Sequence, residues 1–252
     1  MIFWRRIMHE LELLREKIDS TDERIIALLQ ERMTLSAAVA RFKMRRGMEI
    51  YAPEREKKLM ERVEAIAGDA LSGYITAIYD VILAQSREYQ RDRMKNLILI
   101  GMPGCGKTTV GKAAAEMLGR DFYDTDSLIE EKAGCGIPEI FASSGEEAFR
   151  ELEHEALRGL SGVRASVIAT GGGTVLRADN RELIRKNSVT VWLRRDLAAL
   201  SCDGRPVSLS VPLEELYERR APLYAASADI VVENDCESPA ATAEKLIGTV
   251  HI

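Results

Sequence analysis

Residues 9 to about 46 contain no Gly or Pro, and their apolar side chains recur every three or four positions. Leu11, Leu14, Ile18, Ile25, Leu28, Leu35, Val39 and Phe42 fall on one stripe, which Thr21 and Arg32 share. That period predicts a single helix of about 35 residues, roughly 50 Å long at 1.5 Å per residue, ended by Gly47. Pro53, a favoured first-turn residue, opens a second helix that runs to about Ala67 and stops at Gly68. A third runs from about Asp69 into the 90s on Leu71, Ile75, Ile78, Ile82 and Tyr89. Helices so unequal cannot bury the long one, and an antiparallel second copy is the simplest partner.

Beyond residue 95 the period changes. Short apolar runs at Leu97–Ile100, just before Asp124, and at Val167–Ala169, Val189–Leu193 and Ile230–Val232 alternate with helical stretches. That pattern belongs to an α/β fold with a mostly parallel sheet. The chain therefore reads as multidomain: an all-α three-helix domain over 1–94, dimeric, then an α/β domain over 95–252. The junction Arg91-Asp-Arg-Met-Lys-Asn96 has no Pro, Gly or Ser, so it is not a flexible linker.

Composition adds mainly exclusions. A length of 252 residues suits one large domain or two small ones. The net charge of −5 argues against a general nucleic-acid binder. Cys105, Cys135, Cys202 and Cys236 are scattered, with neither disulfide-framework nor zinc spacing. The opening MIFWRRIMHE lacks the apolar stretch of a signal peptide, and no run approaches the ~20 apolar residues of a membrane span. A cytoplasmic protein is expected.

The candidate chemistry begins at Gly101-Met-Pro-Gly-Cys-Gly-Lys-Thr108, which fits the phosphate-loop pattern G-x-x-x-x-G-K-[S/T]. It lies between a strand and a helix expected from Thr109 to Leu118, as its mechanism requires. Backbone N–H groups there crowd phosphate oxygens at the positive end of a helix. Lys107 can reach the β/γ-phosphates, and the Thr108 hydroxyl can join a Mg²⁺ shell. This half of the chain is expected to bind a nucleoside triphosphate.

In the helical third, Arg32 stands out, because a guanidinium in an apolar seam needs an anion. Taken alone, an interfacial salt bridge or a snorkelling side chain would satisfy it. Its company suggests more. Leu14-Arg-Glu-Lys-Ile18, Leu28-Leu-Gln-Glu-Arg32, Lys43, Pro53-Glu-Arg-Glu56, Ser86 and Gln90 together resemble the all-helical (AroQ-type) chorismate mutases over about residues 9–92. The resemblance implies that Arg15 and Arg32 hold the two substrate carboxylates, supported by Arg55 and Ser86. Lys43 and Gln90 would hydrogen-bond the breaking ether oxygen, and Glu56 would take the substrate hydroxyl. Chorismate-to-prephenate rearrangement is pericyclic and needs no cofactor, only a folded substrate and fixed cations. Arg15 and Lys43 are 28 residues apart on one helix, roughly 42 Å. If both serve one site, Arg15 comes from a second subunit. Where the family commonly has a capping Asp before Pro53, this chain has Ala52; Glu56 and the cationic residues remain, so weakened activity at worst is expected.

Further motifs follow the phosphate loop. Asp124-Thr-Asp126, Gly145-Glu-Glu-Ala-Phe-Arg150-Glu-Leu-Glu153, Ala169-Thr-Gly-Gly-Gly173, Gly204-Arg205-Pro206 and Arg220-Ala-Pro-Leu-Tyr224 appear in that order. Singly they read as a helix cap, an Arg150–Glu153 pair, a flexible loop and surface charges. In this order they resemble shikimate kinase over about residues 96–252. The resemblance implies that Gly104, Cys105, Gly106, Lys107, Thr108 and Thr109 hold ATP phosphates, with Thr108 and Asp124 around Mg²⁺. It implies that Asp126 contacts shikimate hydroxyls and accepts the 3-hydroxyl proton. Arg150 and Arg220 would hold the shikimate carboxylate, Gly171, Gly172 and Gly173 would approach the substrate, and Arg205 would close on the phosphates from a lid. The lid is short, with only Ser-Cys-Asp-Gly between Leu200 and Arg205, which leaves adenine contacts weaker or supplied near Pro239. A gluconate kinase of the same architecture is the rival for the kinase half. For the whole chain, the expectation is a bifunctional enzyme of aromatic biosynthesis acting on shikimate, ATP and chorismate as a homodimer. The alternative is a kinase whose helical domain only dimerises or senses a ligand.

Overall fold

The computed structural model describes residues 2–200 and 212–250, residues 2, 3, 5, 6 and 45 by their backbone alone. The chain divides into two compact units, residues 1–93 and 94–252.

The first unit is three helices: α1 (Ile2–Arg45), α2 (Pro53–Ala67) and α3 (Ser72–Met94). Helix α1 begins well before residue 9, because nothing in the opening residues is a helix breaker. Helix α3 begins at Ser72 and not at Asp69, since Gly68 to Leu71 first make a turn, with the Ser72 amide donating to the Gly68 carbonyl at 2.9 Å. The face of α1 that packs within the unit is not the anticipated stripe. Ala37 and Ala40 are buried, with Leu29, Met33 and Met44 partly so. The stripe itself, from Leu11 (39% exposed) to Leu28 (63%) and Phe42 (53%), stays open. Helix α1 is thus apolar on two adjoining faces, and Arg32 and Lys43 lie along their border. Among the described residues of this unit, Val63 and Leu83 are the other buried apolar side chains, a small core for helices of this length.

The second unit is a five-stranded sheet covered by helices. Strands β1 (Asn96–Ile100), β2 (Phe122–Asp124), β3 (Val167–Ala169), β4 (Ser188–Arg194) and β5 (Ile230–Glu233) stand in the order β2-β3-β1-β4-β5. Every pairing is parallel, with Leu97 opposite Val167 on one side and Val189 on the other. Helices α4 (Lys107–Leu118), α5 (Thr125–Ala133), α6 (Ile137–Gly159), α7 (Ala178–Arg185), α8 (Leu213–Ser227) and α9 (Pro239–Thr249) connect and flank the strands. All five residues of β1 are buried, as expected for a central strand covered on both faces. Leu97, Leu99, Ile100, Val167, Val191, Leu193 and Leu246 centre the core.

Parallel topology decides where function can sit. Each strand delivers its chain at the same edge of the sheet. From β1 the chain passes to β2 on one side of the sheet, whereas from the adjacent β3 it passes to β4 on the other, which opens a crevice at the carboxyl end of β1. The phosphate loop occupies that end.

Candidate functional site

Helix α4 starts at Lys107, two residues before Thr109, because the lysine itself opens the helix after Gly106. Gly106 has φ 96°, and a β-carbon there would lie 2.6 Å from Asn234 Nδ2, so both backbone and space require glycine. Asn234 explains the crowding. Its Nδ2 donates to the Cys105 carbonyl at 2.8 Å, and its Oδ1 accepts from the Thr242 hydroxyl at 2.7 Å. The loop is therefore tied to the end of β5 and to α9. Lys107 is buried, its Nζ donating to the carbonyls of Gly101 (3.0 Å) and Met102 (2.9 Å). Thr109 donates to the Gly106 carbonyl at 3.0 Å.

The end of β2 supplies the acids. The Thr108 hydroxyl donates to Asp124 Oδ2 at 2.6 Å, while Asp124 Oδ1 accepts the Asp126 amide at 3.0 Å as the cap of α5. One carboxylate thus both ends a strand and starts a helix, and that fixes Asp126 in the first turn of α5. A hydroxyl and a carboxylate so placed suit a hard, oxygen-seeking divalent cation that keeps most of its ligands from phosphate and water. Gly104, Gly106, Lys107, Thr108, Thr109, Asp124, Asp126, Thr170 and Arg195 line a cavity of about 310 Å³. A larger one, of about 600 Å³, shares Arg195 and is bordered by Arg194, Asp196 and Tyr217 and by Asn234 to Cys236 at the end of β5.

The end of β3 brings the glycine-rich turn against a buried charge cluster. Glu153 on α6 is fully buried, accepts the Thr174 hydroxyl at 2.8 Å, and meets Arg150 Nη1 at 3.4 Å. Burial pushes the Glu153 carboxyl above its ordinary value, with the Arg150 guanidinium pulling the other way. Arg150 is also held by Glu146 at 2.8 Å. Arg220 on α8 is buried and donates to the Gly172 carbonyl at 3.1 Å. Burial lowers its pKa, and the neighbouring Arg150 charge acts in the same direction. Tyr224 donates to the same carbonyl at 2.5 Å. A β-carbon on Gly173 would stand 2.7 Å from Arg150 Cζ, and one on Gly171 would stand 2.8 Å from Asp126 Oδ1. Two guanidiniums, partly offset by one buried carboxylate, make a pocket that favours an added anion. Asp126 lies between that pocket and the phosphate cavity.

The kinase residues anticipated from sequence therefore gather at one edge of the sheet, save Arg205, which falls outside the described residues together with Gly204 and Pro206. Glu153 was anticipated only as a helical partner of Arg150. Asn234, Thr174, Thr125 (whose hydroxyl accepts the Gly171 amide at 3.0 Å) and Arg195 were not anticipated. Buried acids and loop clamps carry no local pattern that would have exposed them.

In the helical unit, Arg32 Nη1 donates to the buried Ser86 hydroxyl, which itself donates to the Ile82 carbonyl at 2.6 Å. Lys43 Nζ donates to the Ile50 carbonyl. Glu56 pairs with Arg87 at 2.5 Å. Gln90 is half-buried, and Arg55 is exposed. Arg15 is exposed on the amino-terminal half of α1, well away from Lys43 on the same helix. Arg87 was not among the residues the sequence singled out.

Comparison with known proteins accounts for both halves. The shikimate kinase family matches residues 103–251, and chorismate mutase type II matches residues 14–91. A shikimate kinase of Moorella thermoacetica is 43% identical over 159 residues, covering 60% of this chain and 91% of that protein. One of Marinomonas sp. (strain MWYL1) is 37% identical over 166 residues, covering 62% and 91%. Among solved structures, the Acinetobacter baumannii shikimate kinase in complex with shikimate superposes with a TM-score of 0.60 at 36% identity, over 62% of this chain and 93% of its own. The Bacteroides thetaiotaomicron shikimate kinase gives 0.56 at 29%, over 63% and 99%. No helix among the described residues is long and apolar enough to cross a membrane. With a phosphate loop, a paired-arginine pocket and an acid between them at one sheet edge, and with that agreement along 149 residues, the chain belongs to the shikimate kinase family, fused behind a type II chorismate mutase domain.

Proposed function

We propose that this bifunctional enzyme of aromatic biosynthesis works through two separate sites, with domain limits at 1–94 and 95–252. In the kinase, Arg150 and Arg220 receive the shikimate carboxylate, and the Gly171–Gly173 turn closes against the ring. Asp126 accepts the proton of the 3-hydroxyl as that oxygen attacks the γ-phosphorus of ATP, and the bond to the β–γ bridging oxygen breaks to leave ADP. Gly104, Cys105, Gly106, Lys107, Thr108 and Thr109 cradle the phosphates, with Arg205 added from the lid. Mg²⁺ would be held by Thr108 and Asp124 and would neutralise phosphate charge. The base of the nucleotide takes the larger cavity beside Arg194 and the 234–236 segment, which leads into Pro239. The observation that carries this reading is Asp126 set between a phosphate cavity and a two-arginine anion pocket.

In the mutase, Arg32 and Ser86 already form one polar pair, with Gln90 one turn further along α3 and Lys43 about three turns further along α1. Arg15 completes the site from a second copy, with Arg55 supporting the carboxylates and Glu56 taking the hydroxyl. The open stripe of α1 is the surface a second copy covers, so the working form is a homodimer. Rate comes from holding the reactive conformer and from the fixed charges of Lys43 and the arginines.

The test follows both reactions in the full chain. Arg32→Ala is expected to abolish chorismate loss and to leave shikimate-dependent ADP formation unchanged, and Asp126→Asn to do the reverse. Chorismate loss that survives Arg32→Ala would refute the mutase assignment. Undiminished phosphorylation by Asp126→Asn would refute the role given to that acid.

A further inference from the structure

We propose that Arg87 is a positioning residue of the mutase site, holding Glu56 where its carboxylate accepts the substrate hydroxyl. The inference rests on the mutase reading above. Glu56 projects from the first turn of α2, so its position is only as good as the anchoring of that turn. The usual local anchor is absent. Ala52 stands at the N-cap with φ −133° and ψ 79° and offers no side-chain hydrogen bond.

Tertiary contacts take over. Arg87 Nη1 donates to Glu56 Oε2 at 2.5 Å, with the two side chains only 27% and 22% exposed. The guanidinium lies over the Tyr51 ring, 5.6 Å from its centroid, in the segment just before α2. Lys43 grips the same segment through the Ile50 carbonyl. Arg87 directly follows Ser86, the partner of Arg32. One turn of α3 therefore sets both the residue offered to a substrate carboxylate and the residue offered to its hydroxyl. The contact to Glu56 uses a single oxygen, and Oε1 is left to accept from substrate. A long, flexible acid held this way loses less conformational freedom when the hydroxyl arrives.

A mere tether between α2 and α3 would produce the same contact but different kinetics. The hydroxyl takes no part in bond making, so loss of its oriented acceptor weakens ground and transition states alike and raises KM. A loosened helix pair would instead displace Arg32 and Lys43 and lower kcat. The decisive experiment uses the full chain and chorismate kinetics for Arg87→Met, Arg87→Lys, Glu56→Gln and the double variant. Arg87→Met is expected to raise KM about tenfold with kcat within about threefold of wild type. Arg87→Lys is expected to recover part of that loss. In the Glu56→Gln background, Arg87→Met is expected to change nothing further.

An equal penalty in both backgrounds, a fall in kcat alone, or no effect overturns the proposal. If Arg87→Met lowers the helical melting temperature, Arg87→Lys decides. A KM clearly below that of the Met variant supports positioning, and a KM as poor as that of the Met variant overturns it. A wild-type enzyme inert toward chorismate overturns the mutase reading and this inference together. Activity lost in Arg32→Ala but indifferent to Arg87 overturns only the inference.

Discussion

At the residue scale, the least expected group is Glu153. Arg150, Arg220 and the three glycines were legible because they sit in short, ordered motifs. The state of Glu153 was not, since it depends on α6, Thr174 and the glycine turn closing around it in three dimensions. Its carboxyl is raised from the usual value of 4.5 chiefly by burial. The native state therefore binds that proton more readily than the unfolded chain does. The stabilisation is fully present below the unfolded pKa and is lost as pH rises through the folded one. Glutamine at 153 cannot ionise, so it does not share this loss. Relative to wild type, Glu153→Gln is expected to gain stability between pH 4 and pH 7. Denaturant unfolding at the two pH values, read by the core residue Trp192 in a Trp4→Phe background, measures the difference. A stability gap that stays constant, or moves against the variant as pH rises, would show that the ion pair with Arg150 outweighs burial.

At the element scale, the stops were easier to read than the faces. Gly47, Pro53 and Gly68 bound α1 and α2 because these residues act locally on backbone geometry. The strands were found for a similar reason, as short apolar runs between turns. The packed face of α1 was missed because the helix is apolar around two adjoining arcs. Periodicity reports the stronger, Leu-rich arc and cannot say which arc meets α2 and α3. Small side chains at Ala37 and Ala40, buried where α1 packs within its own unit, carry little weight in such a pattern. The start of α2 was read correctly from Pro53, and its missing cap follows from Ala52. Restoring an acceptor there gives a clean test. Ala52→Asp is expected to raise the stability of the helical unit by about 1 kcal/mol at neutral pH, since its carboxylate can accept first-turn amides and faces the positive end of the helix. Thermal unfolding followed by helical circular dichroism measures it. No gain would mean that the Arg87–Glu56 and Lys43–Ile50 contacts already hold that turn in a conformation a cap cannot use.

At the scale of the whole molecule, the two units bury apolar surface very differently. The sheet unit closes a core around Leu97, Leu99 and Val191, whereas α1 leaves Leu14, Ile18, Leu28 and Leu35 more than half exposed. Apolar surface of that extent on one helix is costly in water and cheap to cover with a second copy. Arg15 is exposed on the same helix, lies 28 residues from Lys43 along it and cannot reach it within one chain. If two copies share each mutase site, complementary lesions should rescue one another. Arg15→Ala alone and Lys43→Ala alone are each expected to be inactive toward chorismate. Co-expressed, their mixed dimer carries one site with both lesions and one with neither. With random pairing, half the dimers are mixed, so about a quarter of wild-type mutase activity should return. Shikimate phosphorylation should stay at wild-type level throughout, because neither residue belongs to the sheet unit. Mixed preparations as inactive as their parents would mean that each site draws its cations from a single chain, and Arg15 would then have no place in it.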